Sequence, residues 1–218
     1  MKAIVLFSGG LDSTVLATQM KREAKEIRLI SIDYGQRHAK ELDYSQKIGD
    51  YLDISHEILK LPQLGQILGG SSLTDKSLTL PKGHYAEESM KSTVVPNRNM
   101  ILLALAGGHA LSLGFDTIAY AAHAGDHTIY PDCRPEFADA MDSAFGLADW
   151  KELQLYRPYV EMTKSELVSL GKKLNAPLHL TWSCYAGGEI HCGKCGTCVE
   201  RKEAFELAKI PDPTKYEE

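Results

Sequence analysis

The chain has 218 residues, 24 lysines and arginines against 29 aspartates and glutamates, and a net charge of −5. This length bounds it to one substantial domain, or one domain with an appended subdomain, and the acidic balance argues against bulk binding of nucleic acid. The N-terminal apolar run is shorter than a secretory h-region, and the run at 100–106 breaks at Gly107-Gly108, too short to span a bilayer, so we expect a cytoplasmic chain with no membrane or nucleic-acid partner.

Residues 3–7 form a continuous apolar run that predicts a strand buried on both faces. Val15, Leu16, Ala17 and Met20 follow at helical spacing. A second strand is expected over 27–34, an amphipathic helix over 38–52 carrying Leu42, Ile48 and Leu52, and a third strand over 54–61. Residues 62–96 hold glycines, serines and scattered charges and read as a long excursion with one short helix; such loops are usually functional or mobile. A buried helix is predicted over 97–113, a strand over 115–122, a helix over 135–145 and a strand over 153–159. A helix over 165–173 begins after Thr163 as N-cap with Glu166 at its third position, and a last helix covers 199–209. Strands alternating with helices predict an α/β fold with a doubly wound, mostly parallel, Rossmann-like sheet. A composition shift near Ala176 divides the chain into residues 1–175 and a cysteine-bearing appendage, 176–218.

Between the first strand and the first helix stands Ser8-Gly9-Gly10-Leu11-Asp12-Ser13-Thr14. Ligands of an open parallel sheet bind at the carboxyl ends of its strands. Glycines let the backbone approach a ligand closely, and the first helical turn presents unpaired N–H groups suited to phosphate. Asp12 would repel a bare phosphate, which suggests Mg²⁺ or a backbone partner nearby. The plainer reading is a tight turn with Asp12 or Ser13 as helix N-cap. The string lacks the lysine of a Walker A loop and the spacing of a GxGxxG dinucleotide loop.

Four of the five cysteines, Cys184, Cys192, Cys195 and Cys198, fall in two overlapping CxxC pairs preceded by one more thiol. Four thiolates match tetrahedral Zn²⁺ with no open position, a structural site. An iron–sulfur cluster, a redox CxxC pair, and His191 in place of one cysteine are other readings of the same spacing. Cys133, between Asp132 and Arg134, is either a buried thiol or part of a pocket.

The string SGGLDST resembles the SGGxDS loop of the N-type ATP pyrophosphatases. That resemblance implies an adenine nucleotide alpha hydrolase-like fold holding ATP and Mg²⁺, with ATP cleaved between its α- and β-phosphates. It implies that Phe7, Ser8, Gly9, Gly10, Leu11, Asp12, Ser13 and Thr14 hold the nucleotide, with Asp12 and Ser13 also catalytic. Four further strings, Asp33-Tyr34-Gly35-Gln36-Arg37-His38, Val95-Pro96-Asn97-Arg98-Asn99, Tyr130-Pro131-Asp132-Cys133-Arg134 and Thr181-Trp182-Ser183-Cys184-Tyr185, join the cysteine tail. Together they resemble the 7-cyano-7-deazaguanine synthases of queuosine biosynthesis from Lys2 to about Phe205. Gly196-Thr197 departs from the Asp-Ser expected there and touches no ligand.

The resemblance implies conversion of 7-carboxy-7-deazaguanine, ammonia and ATP to the nitrile through an adenylated carboxylate and an adenylated amide. Free ammonium is then the nitrogen source, and Zn²⁺ occupies the four cysteines. Arg98 is expected to meet developing phosphate charge or the substrate carboxylate, Asp126 or Asp132 to read the deazaguanine edge, and Asp33, Tyr34 and Gln36 to line the adenine or substrate pocket. His123, His127 and Tyr130 are weaker candidates. The excursion and the cysteine tail are expected to supply a homodimer interface. Two rivals remain: an enzyme that adenylates a tRNA base, which needs a basic surface, and a zinc-stabilised nucleotide-binding regulator, which does not turn over.

Overall fold

The computed structural model describes residues 1–37, 39–75, 77–84 and 88–217. Its elements run β1 (Lys2–Leu6), α1 (Leu11–Glu23), β2 (Glu26–Asp33), α2 (Lys40–Leu52), β3 (His56–Lys60), α3 (Gln63–Ile67), α4 (Arg98–Leu113), β4 (Thr117–Ala119), α5 (Pro135–Gly146), β5 (Gln154–Tyr156), α6 (Lys164–Leu174) and α7 (Gly196–Leu207). Single 3-10 turns cover Glu88–Thr93, Ala124–Asp126, Pro131–Cys133 and Leu178–Leu180.

Among the described residues the strands form one sheet in the order β3-β2-β1-β4-β5, and each neighbouring pair is parallel. Strand β1 alternates between two cores. Ala3, Val5 and Phe7 pack with α1, α2, α6 and α7, whereas Ile4 faces α4 and α5. Both faces are therefore covered, which is why β1 reads as an unbroken apolar run. The chain order reverses between β1 and β4, and that switch point opens a crevice at the carboxyl ends of the strands.

The predicted elements are present with shifted ends. Strand β4 stops at Ala119 and β5 at Tyr156, three-residue strands where seven or eight residues were expected. Past their ends the Tyr120 amide makes one more ladder bond, to the Tyr156 carbonyl at 3.1 Å, and Ala122, Tyr159 and Val160 are buried by packing. Helix α7 begins at Gly196 because Cys195 is its N-cap. Thr163 caps α6 in a capping box with Glu166, as its spacing predicts. The excursion holds α3 and the 3-10 turn Glu88–Thr93 where one short helix was expected. His38, the expected start of α2, lies outside the described residues.

The cysteine tail shares the main core. Leu178, Ala204 and Phe205 pack in the same apolar cluster as Val5 and Val15. Arg201, 1% exposed, donates to Thr181 Oγ1 at 2.7 Å and to the Leu178 carbonyl at 3.1 Å, and meets Asp212 at 3.3 Å.

Candidate active site

The loop after β1 turns on Gly9, whose φ is +76°. A Cβ there would lie 2.8 Å from the Glu41 carbonyl and the Ser45 amide, so α2 packs directly on the glycine. Gly10, not Asp12 or Ser13, is the N-cap of α1, and no side chain caps the helix. The first-turn amides thus remain for an external anion. Ser13 Oγ donates to the Gly10 carbonyl at 3.2 Å and lies 3.2 Å from Ser8 Oγ, which accepts from the Gly10 amide at 3.2 Å. These hydroxyls shape the loop around the crevice that Ser8, Gly10, Asp12 and Ser13 line.

Asp12 points to the β4 side. Its Oδ2 accepts from Lys164 at 2.6 Å, while Oδ1 is buried without a partner. Burial opposes the charge on Asp12, yet Lys164 and His123 outweigh it and hold the carboxyl below its usual range. Lys164, in the first turn of α6, also lies 3.4 Å from Glu200 of α7. Burial pushes the Glu200 carboxyl up despite Lys164 and His123 beside it. His123 is 1% exposed and its Nδ1 accepts from the Gly125 amide at 3.1 Å. Its Nε2 lies 3.1 Å from the Lys164 ammonium, 3.5 Å from Asp126 and 3.8 Å from Asp12. Three carboxylates converge on one ammonium.

Arg98 opens α4 and forms the opposite wall of the crevice with Tyr34 and Tyr185. Its guanidinium lies 6.0 Å from the centre of the Tyr130 ring. Burial opposes the charge of Arg98, but Tyr34, Tyr185, Tyr130 and Asp132 hold its proton on still more firmly. The crevice thus has a loop whose helix N-terminus no side chain caps and a cation at each end, with carboxylates around Lys164.

At its rim lie the four cysteines. All are free thiols, and their sulfurs lie within 4.8 Å of one another. Cys192 and Cys198 are 4.0 Å apart, near the ~3.8 Å edge of a tetrahedron with zinc–sulfur bonds. Backbone amides of Cys192, Lys194 and Cys195 donate to the sulfurs at 3.3–3.5 Å, an environment that suits thiolate ligands. His191 is committed elsewhere: Nε2 accepts from the Ser183 amide at 3.2 Å and the ring packs 4.3 Å from Trp182. The cluster fits zinc through four sulfurs.

The model of the family described as "QueC: Queuosine biosynthesis protein QueC" matches residues 2–209. The chain belongs to the QueC family. It is 52% identical to 7-cyano-7-deazaguanine synthase 1 of Mesorhizobium japonicum over 100% of this chain and 94% of that protein. It is 51% identical to the 7-cyano-7-deazaguanine synthase of Ruegeria pomeroyi over 99% of this chain and 94% of that one. Among solved structures, the NH3-dependent NAD synthetase of Campylobacter jejuni covers 82% of this chain and 66% of its own at a TM-score of 0.51 and 15% identity. NMN synthetase of Francisella tularensis covers 96% and 78% at a TM-score of 0.50 and 14% identity. These two show a shared fold.

In this QueC chain the crevice brings together Phe7, Ser8, Gly10, Leu11, Asp12, Ser13, Tyr34, Arg98 and Asp126 of the residues expected from sequence. Gly9 and Thr14 sit just behind the lining, one against α2 and the other fully buried. Asp33 and Gln36 shape the turn around Gly35: Asp33 Oδ1 accepts from the Gly35 amide at 3.1 Å, and Gln36 Oε1 accepts from the Tyr34 amide at 2.9 Å. Asp132 Oδ2 accepts from the Asn99 amide at 2.9 Å and thereby satisfies the open first turn of α4. Cys133 lines the crevice, with its thiol pushed up by burial and accepting from Asn99 Nδ2 at 3.2 Å.

Sequence reasoning missed Lys164, Glu200, Glu41, Trp182, Tyr185 and Thr197, all of which line the crevice. One signal was available: a lysine directly after the Thr163 N-cap opposes the helix dipole, so its place in the first turn asks for another reason.

Proposed function

We propose that this QueC-family chain converts 7-carboxy-7-deazaguanine and ammonia to 7-cyano-7-deazaguanine, splitting ATP to AMP and pyrophosphate. The observation that carries the reading is one crevice that joins an anion-binding loop without a Walker lysine to cations on both sides, Lys164 and Arg98.

The triphosphate lies against Ser8, Gly10, Ser13 and the open N-terminus of α1. The substrate carboxylate attacks the α-phosphorus and pyrophosphate leaves; Lys164 and the α1 amides meet the charge that develops. Ammonia then attacks the acyl carbon and AMP leaves, giving the amide. The amide oxygen attacks the α-phosphorus of a second ATP, pyrophosphate leaves again, and loss of AMP and two protons from the adenylated amide gives the nitrile. Arg98 holds the carboxylate by its planar fork. Asp126, 3.5 Å from His123, and Glu200, 3.4 Å from Lys164, take up protons lost by ammonia and the amide, while Asp12 stays paired to Lys164 at 2.6 Å.

The bare, buried Oδ1 of Asp12 is an oxygen donor suited to Mg²⁺, which when bound neutralises pyrophosphate as it leaves. The four sulfurs hold Zn²⁺, which fixes the loop and helix that carry Tyr185 and Glu200. The substrates are small molecules, and among the described residues no helix is long and apolar enough to cross a membrane.

Purified protein incubated with ATP, Mg²⁺, ammonium and 7-carboxy-7-deazaguanine should yield the nitrile by mass spectrometry and AMP by chromatography. Formation of ADP, or AMP without nitrile, overturns the assignment.

A further inference from the structure

None of the described residues of the excursion between β3 and α4 lines the crevice, yet the excursion is bolted to the fold. Met90, Thr93 and Val95 are buried. The Ser72 amide donates to the Ser92 carbonyl at 2.8 Å, and the Arg37 amide donates to the Leu73 carbonyl at 2.7 Å. A loop without a role at the site has no need of such anchoring.

Thr93 supplies the connection. It ends the 3-10 turn Glu88–Thr93 with 0% exposure. Its Oγ1 donates to the Met90 carbonyl at 2.7 Å and lies 2.6 Å from the Tyr130 hydroxyl. A threonine has one hydroxyl hydrogen, and the Met90 carbonyl takes it. Tyr130 must then donate to Thr93. Its oxygen is left to accept, and the Tyr185 hydroxyl lies 3.5 Å away. The Tyr130 hydrogen thus runs toward the excursion, and its oxygen faces Tyr185, a residue of the crevice wall.

Arg98 stands over that end. Its guanidinium is 6.0 Å from the Tyr130 ring, and Tyr34, Tyr185 and Tyr130, with the Asp132 carboxylate, surround its charge. Neutral phenols fix the plane of a guanidinium without cancelling its charge, and Asp132, the carboxylate of the set, is engaged by the Asn99 amide at 2.9 Å. The fork stays available to an incoming anion. Tyr130 does not line the crevice, so it acts through Arg98 and Tyr185.

We propose that Thr93 and Tyr130 form a hydroxyl relay that orients Arg98 toward the carboxylate-bearing substrate, so that the stretch of the excursion that carries Thr93 is a positioning element for substrate selection. This rests on the function proposed above. Thr93→Val keeps the shape of the side chain but removes the acceptor, leaving the buried Tyr130 hydroxyl to turn away. Thr93→Ser restores it.

The test measures 7-carboxy-7-deazaguanine and a non-hydrolysable ATP analogue separately by titration calorimetry, with thermal melting of each variant. Thr93→Val should weaken the acid about tenfold, the worth of one buried hydrogen bond, and leave the nucleotide within about twofold. Thr93→Ser should bind both as the parent does. Where Thr93→Val fails to fold, Tyr130→Phe carries the same expectation. Equal acid affinity in the variant and parent overturns the relay alone, as does an equal loss for both ligands. A parent protein that binds nucleotide but no acid refutes the proposed function and the relay together.

Discussion

Asp12 sits where phosphate would be repelled, and the ammonium 2.6 Å from it explains how the loop tolerates a negative side chain. The pair is part-buried, with side-chain exposures of 22% for Asp12 and 16% for Lys164. A charge left alone in such a place is far more costly than the intact pair is stabilising. Lys164→Met therefore has two effects. It strands Asp12, Asp126 and Glu200 beside one another, which destabilises the fold by about 3 kcal/mol, and it removes the cation that faces the leaving pyrophosphate. We expect AMP formation to fall by about a hundredfold or more, with a lowered melting temperature. The double variant Lys164→Met with Asp12→Asn should regain stability, because it removes the stranded charge, but not turnover. Melting curves and pyrophosphate release check the two halves separately. A double variant that recovers turnover would show that Lys164 serves only to neutralise Asp12.

At the scale of elements, the turn between β1 and α1 depends on a residue without a Cβ. Gly9 combines a left-handed φ of +76° with backbone atoms of α2 at 2.8 Å from where a Cβ would sit. The conformation alone costs an alanine about 1–2 kcal/mol, and the contact is with backbone, which cannot swing aside. Gly9→Ala should push α2 away from the loop, raise KM for ATP more than KM for the acid, and lower the melting temperature. Equal changes in the two KM values would place the effect elsewhere.

This turn was legible in the sequence because both halves of its logic are local: an apolar run that ends on two glycines, and a helix that starts at once. The same holds for Thr163 and Glu166, whose capping box needs only a three-residue spacing. The β1–α1–β2 order and the four cysteines were equally plain. What the sequence hid was tertiary. Asp132, expected as one of two candidates to read the deazaguanine edge, also accepts from the Asn99 amide of α4 from 33 positions away, a contact no spacing announces. Glu200 and Lys164 belong to helices that are brought together only by the tertiary fold, so no spacing announces their pairing. Strands β4 and β5 were overestimated because apolar residues past their ends, such as Ala122 and Val160, are buried by packing, while the ladder runs on by one bond from the Tyr120 amide to the Tyr156 carbonyl.

Across the whole molecule, the cysteine tail is wired into the nucleotide loop. The Trp182 amide donates to the Gly9 carbonyl at 3.0 Å, and Thr197 Oγ1 donates to the Ser183 carbonyl at 2.7 Å. Cys184 lies between Ser183 and Tyr185, both in the crevice wall, and Cys198 lies two residues before Glu200. An ion that fixes the four sulfurs thus fixes one wall of the crevice and one bond of the phosphate loop. Elemental analysis should find about one zinc per chain. Its removal by a chelator should free the tail, since a site of this kind contributes folding energy. Hydrogen exchange can then locate how far the loosening reaches. We expect the Trp182 amide to lose protection together with those of Cys192 and Cys195, while amides of β1 and β2 keep theirs, and ATP affinity to fall in parallel. Loss confined to residues beyond Cys192, with Trp182 still protected and ATP bound as before, would instead make the zinc a local staple for α7 with no hold on the loop.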